Sequence, residues 1–182
     1  MDFVLPTVDQ VRQLPSSFRV VVSSESADGN GHLNMAKYLS LHDAALWEYN
    51  AGLGFDRQRR DVARRGLFTL EQHLAYHAEV LAGDLVTVRC RVLERTSKLM
   101  HGVSFVVNET NSELSNTMEF VTAYVDLERR RVVQFDTEVA AVVDRELASH
   151  RALGWDAAIS RAMTVGPKKR NPSRDQAGLL HG

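Results

Sequence analysis

Hydrophobic residues recur at two different spacings along the chain, and the change divides it into two kinds of element. Across residues 35–51 they recur at every third or fourth position, which predicts a long helix. From Leu67 onward they alternate with polar residues, which is typical of strands. A β-branched run at residues 18–24 predicts one strand before the helix. The predicted order is therefore one strand, a long helix and then a series of strands.

The predicted helix is apolar around most of its circumference. One face carries the residues at helical spacing, which are Met35, Tyr38, Leu39, His42, Ala45, Leu46 and Tyr49. Leu41, Ala44 and Trp47 lie outside that face, so we expect the helix to be deeply buried. Two glycines, Gly52 and Gly54, end it.

Short polar breaks separate the strands that follow the helix. The predicted strands cover residues 67–76, 85–95, 99–108, 113–127 and 131–135. Such short spacers form hairpins, so we expect an antiparallel sheet. One long apolar helix packed against a single curved antiparallel sheet is an α+β architecture.

Shorter elements are predicted at both ends of the chain. Residues 8–14 predict a short helix that ends at Pro15. Asp136 is expected to cap a second helix, and residues 155–163 predict a last short one. The second helix places four apolar residues on one face, which are Val139, Val142, Val143 and Leu147. Residues 1–166 thus predict a single domain, and the polar stretch 167–182 predicts a disordered tail.

Composition narrows the classes of partner and location. The 182 residues are 44% hydrophobic and 25% charged, with a formal net charge of -1, as in an ordinary globular domain. That charge gives no electrostatic attraction for nucleic acid or an anionic membrane surface. The single cysteine, Cys90, fits a reducing compartment, and no secretory signal or membrane-spanning run is predicted. We therefore expect a cytoplasmic protein.

The junction between the first strand and the long helix carries the residues best suited to chemistry. The stretch ESADGNGHLNMAKY, residues 25–38, holds two glycines, a carboxylate at Asp28, an imidazole at His32 and two asparagines. The amide groups at a helix start have no intrahelical acceptor and attract negative charge. A carboxylate beside such a helix end is suited to acyl transfer.

This junction resembles that of the hotdog-fold acyl-CoA thioesterases of the 4-hydroxybenzoyl-CoA thioesterase type. The resemblance lies in the motif DxxGHxNxxxY, which begins at Asp28. Two further blocks, FTLEQHLAYHAE from Phe68 and KLMH from Lys98, look like the betainyl-CoA thioesterase branch. The likeness covers residues 18–135. It implies a hotdog fold, a thioester hydrolase, and a homodimer or homotetramer whose active sites lie at the subunit interface.

In this resemblance Asp28 matches the catalytic aspartate, which acts as nucleophile or as general base on water. Gly31, His32, Asn34 and Met35 would hold the substrate and its developing oxyanion through backbone amides. Simpler roles stay open for each of them. Asp28 can form an Asx turn, Asn34 can cap the helix, and His32 can orient Asp28 or be an ordinary loop histidine.

Two more groups of residues match the further blocks. Glu71 and His73 project from one strand face and would assist catalysis from a partner subunit, unless that face is simply solvated. Arg95, Ser97, Lys98 and His101 lie at or near a hairpin tip. They would bind CoA phosphates, unless they serve solubility.

Other chemistries are not indicated. No ligand set resembles a zinc site, and no cofactor is needed beyond the CoA of the substrate itself. Cys90 and His42 fall at core positions, and we expect both to be buried structural residues. Three alternatives to a thioesterase remain: a hotdog enoyl-CoA hydratase, a non-catalytic acyl-CoA-binding protein, and an interaction domain with an unused cleft.

Overall fold

One long helix lies against a single antiparallel sheet in the computed structural model. The model describes residues 5–157, 159–160, 163 and 165. The helices are α1 (Val8–Arg12), α2 (Met35–Gly52), α3 (Arg57–Asp61) and α4 (Thr137–Arg151), with a 3-10 turn at Ser24–Ser26. The strands are β1 (Ser16–Val21), β2 (Arg65–Tyr76), β3 (Leu85–Arg95), β4 (Leu99–Asn108), β5 (Glu113–Asp126) and β6 (Arg131–Val132).

The sheet confirms the antiparallel prediction and adds pairings that are distant in sequence. The strand order is β1-β3-β4-β5-β2, and β6 pairs with the end of β5. Strands β3, β4 and β5 form the expected hairpins, whereas β1 and β2 occupy opposite edges. The connection from β2 to β3, residues 77–84, must therefore cross from one side of the sheet to the other. We call these residues the crossover.

The main core lies between α2 and the inner face of the sheet. The buried residues of α2 are Tyr38, His42, Ala45, Leu46 and Tyr49. The prediction that the helix is buried nearly all round is wrong for the single chain. Met35 is 74% exposed and Trp47 is 49% exposed, because the sheet covers only one side of the helix.

The outer face of the sheet is covered by the two ends of the chain. The second core cluster joins both ends to β4 and β5 through Val11, Leu14, Val103, Phe105, Val107, Leu114 and Trp155. The N-terminal helix is confirmed as α1. The predicted helix over residues 155–163 is wrong for the described residues, none of which is helical. The guanidinium of Arg91 donates to the Trp155 carbonyl at 2.8 Å, so that oxygen has a partner outside a helix. The predicted tail, residues 167–182, lies outside the described part of the chain.

Helix α4 is confirmed, but its predicted cap is not. Asp136 occupies the cap position without a side-chain cap hydrogen bond. Its Oδ2 instead accepts hydrogen bonds from the Tyr124 hydroxyl at 2.6 Å and the Arg59 guanidinium at 3.2 Å. Asp136 therefore ties the start of α4 to β5 and α3. No helix in the described part of the chain has both the length and the apolar content that a membrane span requires.

A buried histidine links α2 to the middle of the sheet. The ring of His42 is fully buried, with Nδ1 2.7 Å from the Ser104 hydroxyl and Nε2 2.7 Å from the Asn116 amide oxygen. An amide oxygen only accepts, so Nε2 carries the proton and Nδ1 accepts from Ser104. Burial lowers the pKa of His42 to about 4. The prediction of a buried, hydrogen-bonded histidine is confirmed.

The neutral His42 ring makes stability fall as the pH falls. The unfolded chain takes up this proton near the ordinary histidine pKa of 6.5, whereas the folded protein does so only near 4. The stability that the neutral His42 ring contributes is therefore fully present above pH 6.5 and is lost as the pH falls from 6.5 to 4. We expect this group to contribute about 3 kcal/mol of that loss, measured by urea unfolding at several pH values.

The matched comparison is His42→Gln against His73→Gln, which alters an exposed histidine. Only the first should flatten the pH dependence of the free energy of unfolding. Equal pH slopes for wild type and both variants would show that His42 does not titrate as described.

Candidate active site

The loop between β1 and α2 contains the predicted catalytic aspartate. Asp28 Oδ1 accepts hydrogen bonds from the amides of Asn30 at 2.8 Å and His32 at 3.2 Å. This is an Asx turn. Gly31 has a φ of 82°, a left-handed conformation that glycine adopts without strain. No described residue bonds the second oxygen, Oδ2, which lies on an exposed side chain. The turn therefore fixes one carboxylate oxygen and leaves the other available.

Asn34 caps the helix that follows. Its Oδ1 accepts from the Ala36 amide at 2.9 Å, and its own amide donates to the Ser26 carbonyl at 2.9 Å. The cap role left open by the sequence is thus confirmed. These bonds hold the start of α2 against the loop.

Most of the amides predicted to bind an oxyanion already have acceptors within the chain. Gly31 N donates to the Asp28 carbonyl at 3.0 Å, and His32 N donates to the Asp28 side chain. Asn34 N is also engaged, as described above. Met35 is the first residue of α2, so its amide has no intrahelical acceptor. The geometry therefore narrows the predicted oxyanion donors to Met35.

The crossover packs directly against this loop. The Leu33 amide donates to the Val80 carbonyl at 2.7 Å, and His32 forms a β-bridge with Leu81. The ring of His32 reaches Glu79, with Nε2 3.0 Å from Oε2. The imidazole therefore does not orient Asp28. It ties the loop to the crossover.

An open groove lies between the loop, the start of α2 and the crossover. It is lined by Asp28, His32, Leu33, Asn34, Met35, Tyr38, Tyr76, His77, Ala78 and Glu79. The rings of Tyr38 and Tyr76 meet edge to face, with centroids 5.2 Å apart. The Tyr76 hydroxyl donates to the Met35 carbonyl at 3.3 Å. Burial is the largest cause that raises the pKa of Tyr38, and neighbouring Tyr76 and Glu79 add to it.

Glu71 and His73 do not lie on this groove. They share a strand face as predicted, and His73 pairs with Glu119 on the outer side of the sheet. Two apolar residues of the same strand, Phe68 and Leu70, are 63% and 52% exposed. A bulge between Thr69 and Glu71 shifts the register and leaves Leu70 without a cross-strand partner. Within one chain the sheet separates Glu71 and His73 from Asp28, so their predicted roles would require a second chain.

The residues predicted to bind CoA differ in their availability. His101 is 5% exposed and its Nε2 lies 2.8 Å from Glu119 Oε1, so this ring is not available to a phosphate on the surface. The Arg95 guanidinium is bound to Asp144 and holds the pKa of that carboxyl below its usual range. In the single chain both side chains already have partners within the fold, and their binding of CoA stays a prediction.

Ser97 and Lys98 are exposed, as the prediction requires. They lie beyond the end of β3, whereas the Asp28 loop contacts the residues just before its start. Strand β3 has 11 residues, a length of about 35 Å at the usual rise of a strand. Ser97 and Lys98 are therefore far from the groove of the same chain.

The thiol and the metal-ligating side chains of the described chain offer no alternative chemistry. Cys90 is buried, and burial raises the pKa of its thiol to about 12, so it is the core residue that we expected. The described residues contain no group of three or more His, Cys, Asp and Glu side chains that could hold a metal ion.

Three residues that line the groove, Tyr76, His77 and Glu79, had no role predicted from the sequence. Alternation along β2 places Tyr76 on the helix side, and this signal was available in the sequence. His77 and Glu79 lie on the crossover, whose path to the start of α2 is set by strand order and not by local pattern. No sequence signal could have placed them there.

Comparisons with known proteins agree with this arrangement. The model of the thioesterase-like superfamily matches residues 22–143. The chain is 32% identical over 155 residues to a betainyl-CoA thioesterase from Pseudomonas aeruginosa, covering 85% of this chain and 98% of that protein. It is 29% identical over 117 residues to an L-carnitine dehydrogenase/betainyl-CoA thioesterase from Agrobacterium fabrum, covering 64% of this chain and 24% of that protein.

The fold is also found among solved structures. A hypothetical protein from Staphylococcus aureus, solved in complex with CoA, aligns with a TM-score of 0.73 and 22% identity. The alignment covers 82% of this chain and 94% of that one. The predicted hotdog fold is confirmed.

Loss of the Asn34 cap should destabilise the start of α2, which lines the groove. We expect Asn34→Ala to lower the free energy of unfolding by about 1 kcal/mol, because the Ala36 amide loses its acceptor. Asn34→Asp keeps an acceptor at the same place and should retain most of the stability. Urea unfolding of the three proteins gives the comparison. Equal losses in both variants would mean that the side chain does not stabilise the helix start.

Proposed function

The chain belongs to the thioesterase-like superfamily, and we propose that it hydrolyses a small acyl-CoA to the free acid and CoA beside Asp28. The observation that carries this proposal is the geometry of Asp28, with one oxygen held by the Asx turn and the other available on the groove at the start of α2. The superfamily match includes every residue that lines the groove. Two relatives named as betainyl-CoA thioesterases support a betainyl-like acyl group.

The same geometry suggests how hydrolysis proceeds. With Asp28 as general base, Oδ2 takes a proton from water while the water oxygen attacks the thioester carbonyl carbon. The resulting oxyanion would be stabilised by the Met35 amide and the positive end of the helix dipole. Collapse of the intermediate breaks the carbon–sulfur bond and releases CoA as the thiolate. With Asp28 as nucleophile, Oδ2 attacks the carbonyl carbon and displaces CoA as the thiolate, and water then hydrolyses the resulting mixed anhydride to the free acid and the regenerated carboxylate.

The geometry does not favour the hydratase alternative. A resemblance to the hotdog enoyl-CoA hydratases would imply an aspartate and a histidine five residues apart, whereas Asp28 and His32 are four apart. The His32 ring is directed to Glu79 instead of to Asp28. The groove therefore presents one carboxylate at the helix start, as ester hydrolysis requires.

The proposal includes a homodimer with the groove at its interface, or a homotetramer made of two such dimers. Three exposed apolar side chains of α2, Met35, Leu39 and Trp47, support a second chain there. Phe68 and Leu70 add exposed apolar surface on β2, which is an edge strand of the sheet. A partner could supply Glu71 or His73 to catalysis and Ser97 or Lys98 to the CoA phosphates.

A cytoplasmic location is also part of the proposal. Cys90 is a free thiol in the core, which suits a reducing compartment.

Replacing the catalytic carboxylate tests the function directly. Asp28→Asn keeps Oδ1 as the acceptor of the Asx turn but removes the base or nucleophile. We expect kcat/KM to fall at least about 100-fold in a thiol-release assay across short, aromatic, branched and betaine-like CoA thioesters. Asp43→Asn, on an exposed position of α2 outside the groove, is the matched control. Unchanged turnover by Asp28→Asn with CoA binding intact would exclude this mechanism.

A charge placed on the exposed face of α2 tests the dimer. We expect Trp47→Glu to shift the protein from dimer to monomer in light scattering coupled to gel filtration, because burying an unpaired carboxylate is unfavourable. Val132→Glu changes an apolar residue of similar exposure on β6 and should leave the dimer intact. A wild-type protein that is monomeric and fully active would contradict a shared site.

A further inference from the structure

The groove carries negative charge where an acyl group would lie. Two carboxylates, Asp28 and Glu79, line it together with His32 and His77. Among the described residues that line the groove, none is Lys or Arg. An acyl group that bears a carboxylate would meet like charge here, whereas one that bears a cation would meet opposite charge.

Glu79 is held in place although it lies on a loop. Its Oε2 is 3.0 Å from Nε2 of His32. The His32 backbone is fixed in turn, since its carbonyl accepts from the Asp28 amide at 2.8 Å and it bridges to Leu81. The carboxylate of Glu79 is thus positioned at the groove by a residue that is anchored in the Asp28 loop. No described residue is recorded in contact with its other oxygen, and the side chain is 64% exposed.

Aromatic rings line the groove beside this carboxylate. Tyr38 and Tyr76 both contribute to its lining, and Glu79 is near enough to the Tyr38 hydroxyl to raise its pKa. Tyrosine faces attract organic cations, most strongly where water is partly excluded. Tyr38 is only 4% exposed, so the ring that a quaternary ammonium group would meet beside this carboxylate is that of Tyr76, which is 53% exposed.

We propose that Glu79, positioned by His32, determines the charge of the acyl group that this groove accepts, and that it favours a quaternary ammonium. This inference rests on the proposed hydrolysis at the same groove. Asp28 acts on the thioester carbonyl, while Glu79 acts on the far end of the acyl group. Glu79 is a specificity-determining residue, and His32 is the positioning residue behind it.

The test compares two thioesters of the same shape. Betainyl-CoA and 3,3-dimethylbutyryl-CoA differ only in the replacement of a cationic nitrogen by a neutral carbon. The cationic nitrogen also makes the betainyl carbonyl intrinsically more reactive, but that difference is the same for every protein. A change in the ratio of the two kcat/KM values between wild type and variant therefore reports how the protein recognises the charge. Both thioesters are assayed at one pH, so that the protonation state of the groove is the same in each comparison.

We expect Glu79→Gln to lower the betainyl to dimethylbutyryl ratio by about 5- to 10-fold, the modest size reflecting the partial exposure of Glu79 to water. Turnover of the neutral thioester should change less than turnover of betainyl-CoA. Succinyl-CoA, which carries a carboxylate, should become a better substrate of the variant. Glu25→Gln changes an exposed carboxylate outside the groove and should leave all three values as in wild type.

A double-mutant cycle distinguishes a positioning role of His32, exerted through Glu79, from a general structural defect. His32→Ala should lower the betainyl to dimethylbutyryl ratio when Glu79 is present and leave it unchanged in Glu79→Gln. A general structural defect would lower turnover of both thioesters equally and would not move the ratio. A ratio that His32→Ala lowers equally in both backgrounds would exclude the positioning role.

The two proposals fail in different ways. Hydrolysis of all three thioesters with an equal ratio in wild type and Glu79→Gln would overturn this inference and leave the thioesterase intact. If no thioester is hydrolysed, the proposed function is wrong. In that case the affinity of the protein for each unhydrolysed thioester, measured by calorimetry, reports the charge preference. Equal affinities for the betainyl and dimethylbutyryl compounds would overturn this inference as well.

Discussion

The groove depends on the way in which the crossover is held against the start of α2. Strand order requires residues 77–84 to pass from β2 at one edge to β3 near the other. Val80 is fully buried and accepts the Leu33 amide, while Asp84 Oδ2 accepts the Leu81 amide at 2.9 Å and the Asn108 side chain at 2.7 Å. These bonds hold two distant parts of the chain, the Asp28 loop and the crossover, against each other along the groove. Without them neither His77 nor Glu79 would lie near Asp28.

Local pattern was sufficient for elements whose partners are close in sequence. The structure places β3 and β4 within the predicted bounds of 85–95 and 99–108, because alternation and short polar turns specify a hairpin directly. Strands β3 and β4 lie between β2 and β5 in the sequence, and no local signal marks the pairing of β2 with β5. The bulge between Thr69 and Glu71 is likewise invisible in the alternation of apolar and polar residues.

The candidate site shows a second limit of sequence reasoning, which concerns charged residues. Arg95 and His101 have the chemistry of phosphate ligands, yet each is used by a carboxylate inside the fold, Asp144 and Glu119. A sequence shows that a side chain can donate a hydrogen bond, but only the tertiary structure shows whether the donor is already engaged. The loop residues 28–35 were easier to place, because strand, turn and cap follow one another without a gap. Their positions could therefore be predicted from the sequence, whereas the engagement of the Gly31, His32 and Asn34 amides within the loop could not.

The two roles considered for Asp28 are parts of one arrangement. An Asx turn alone would be an ordinary structural feature, and a flexible carboxylate alone would be a poor catalyst. Here the turn occupies Oδ1 with two backbone amides, which removes rotation about the side chain and fixes the direction of Oδ2. Such preorganisation lowers the entropy that a reaction must supply when base, water and carbonyl come together. The same turn sets His32 within reach of Glu79. One local structure therefore positions the group that would act on the thioester and the group that would recognise the acyl chain.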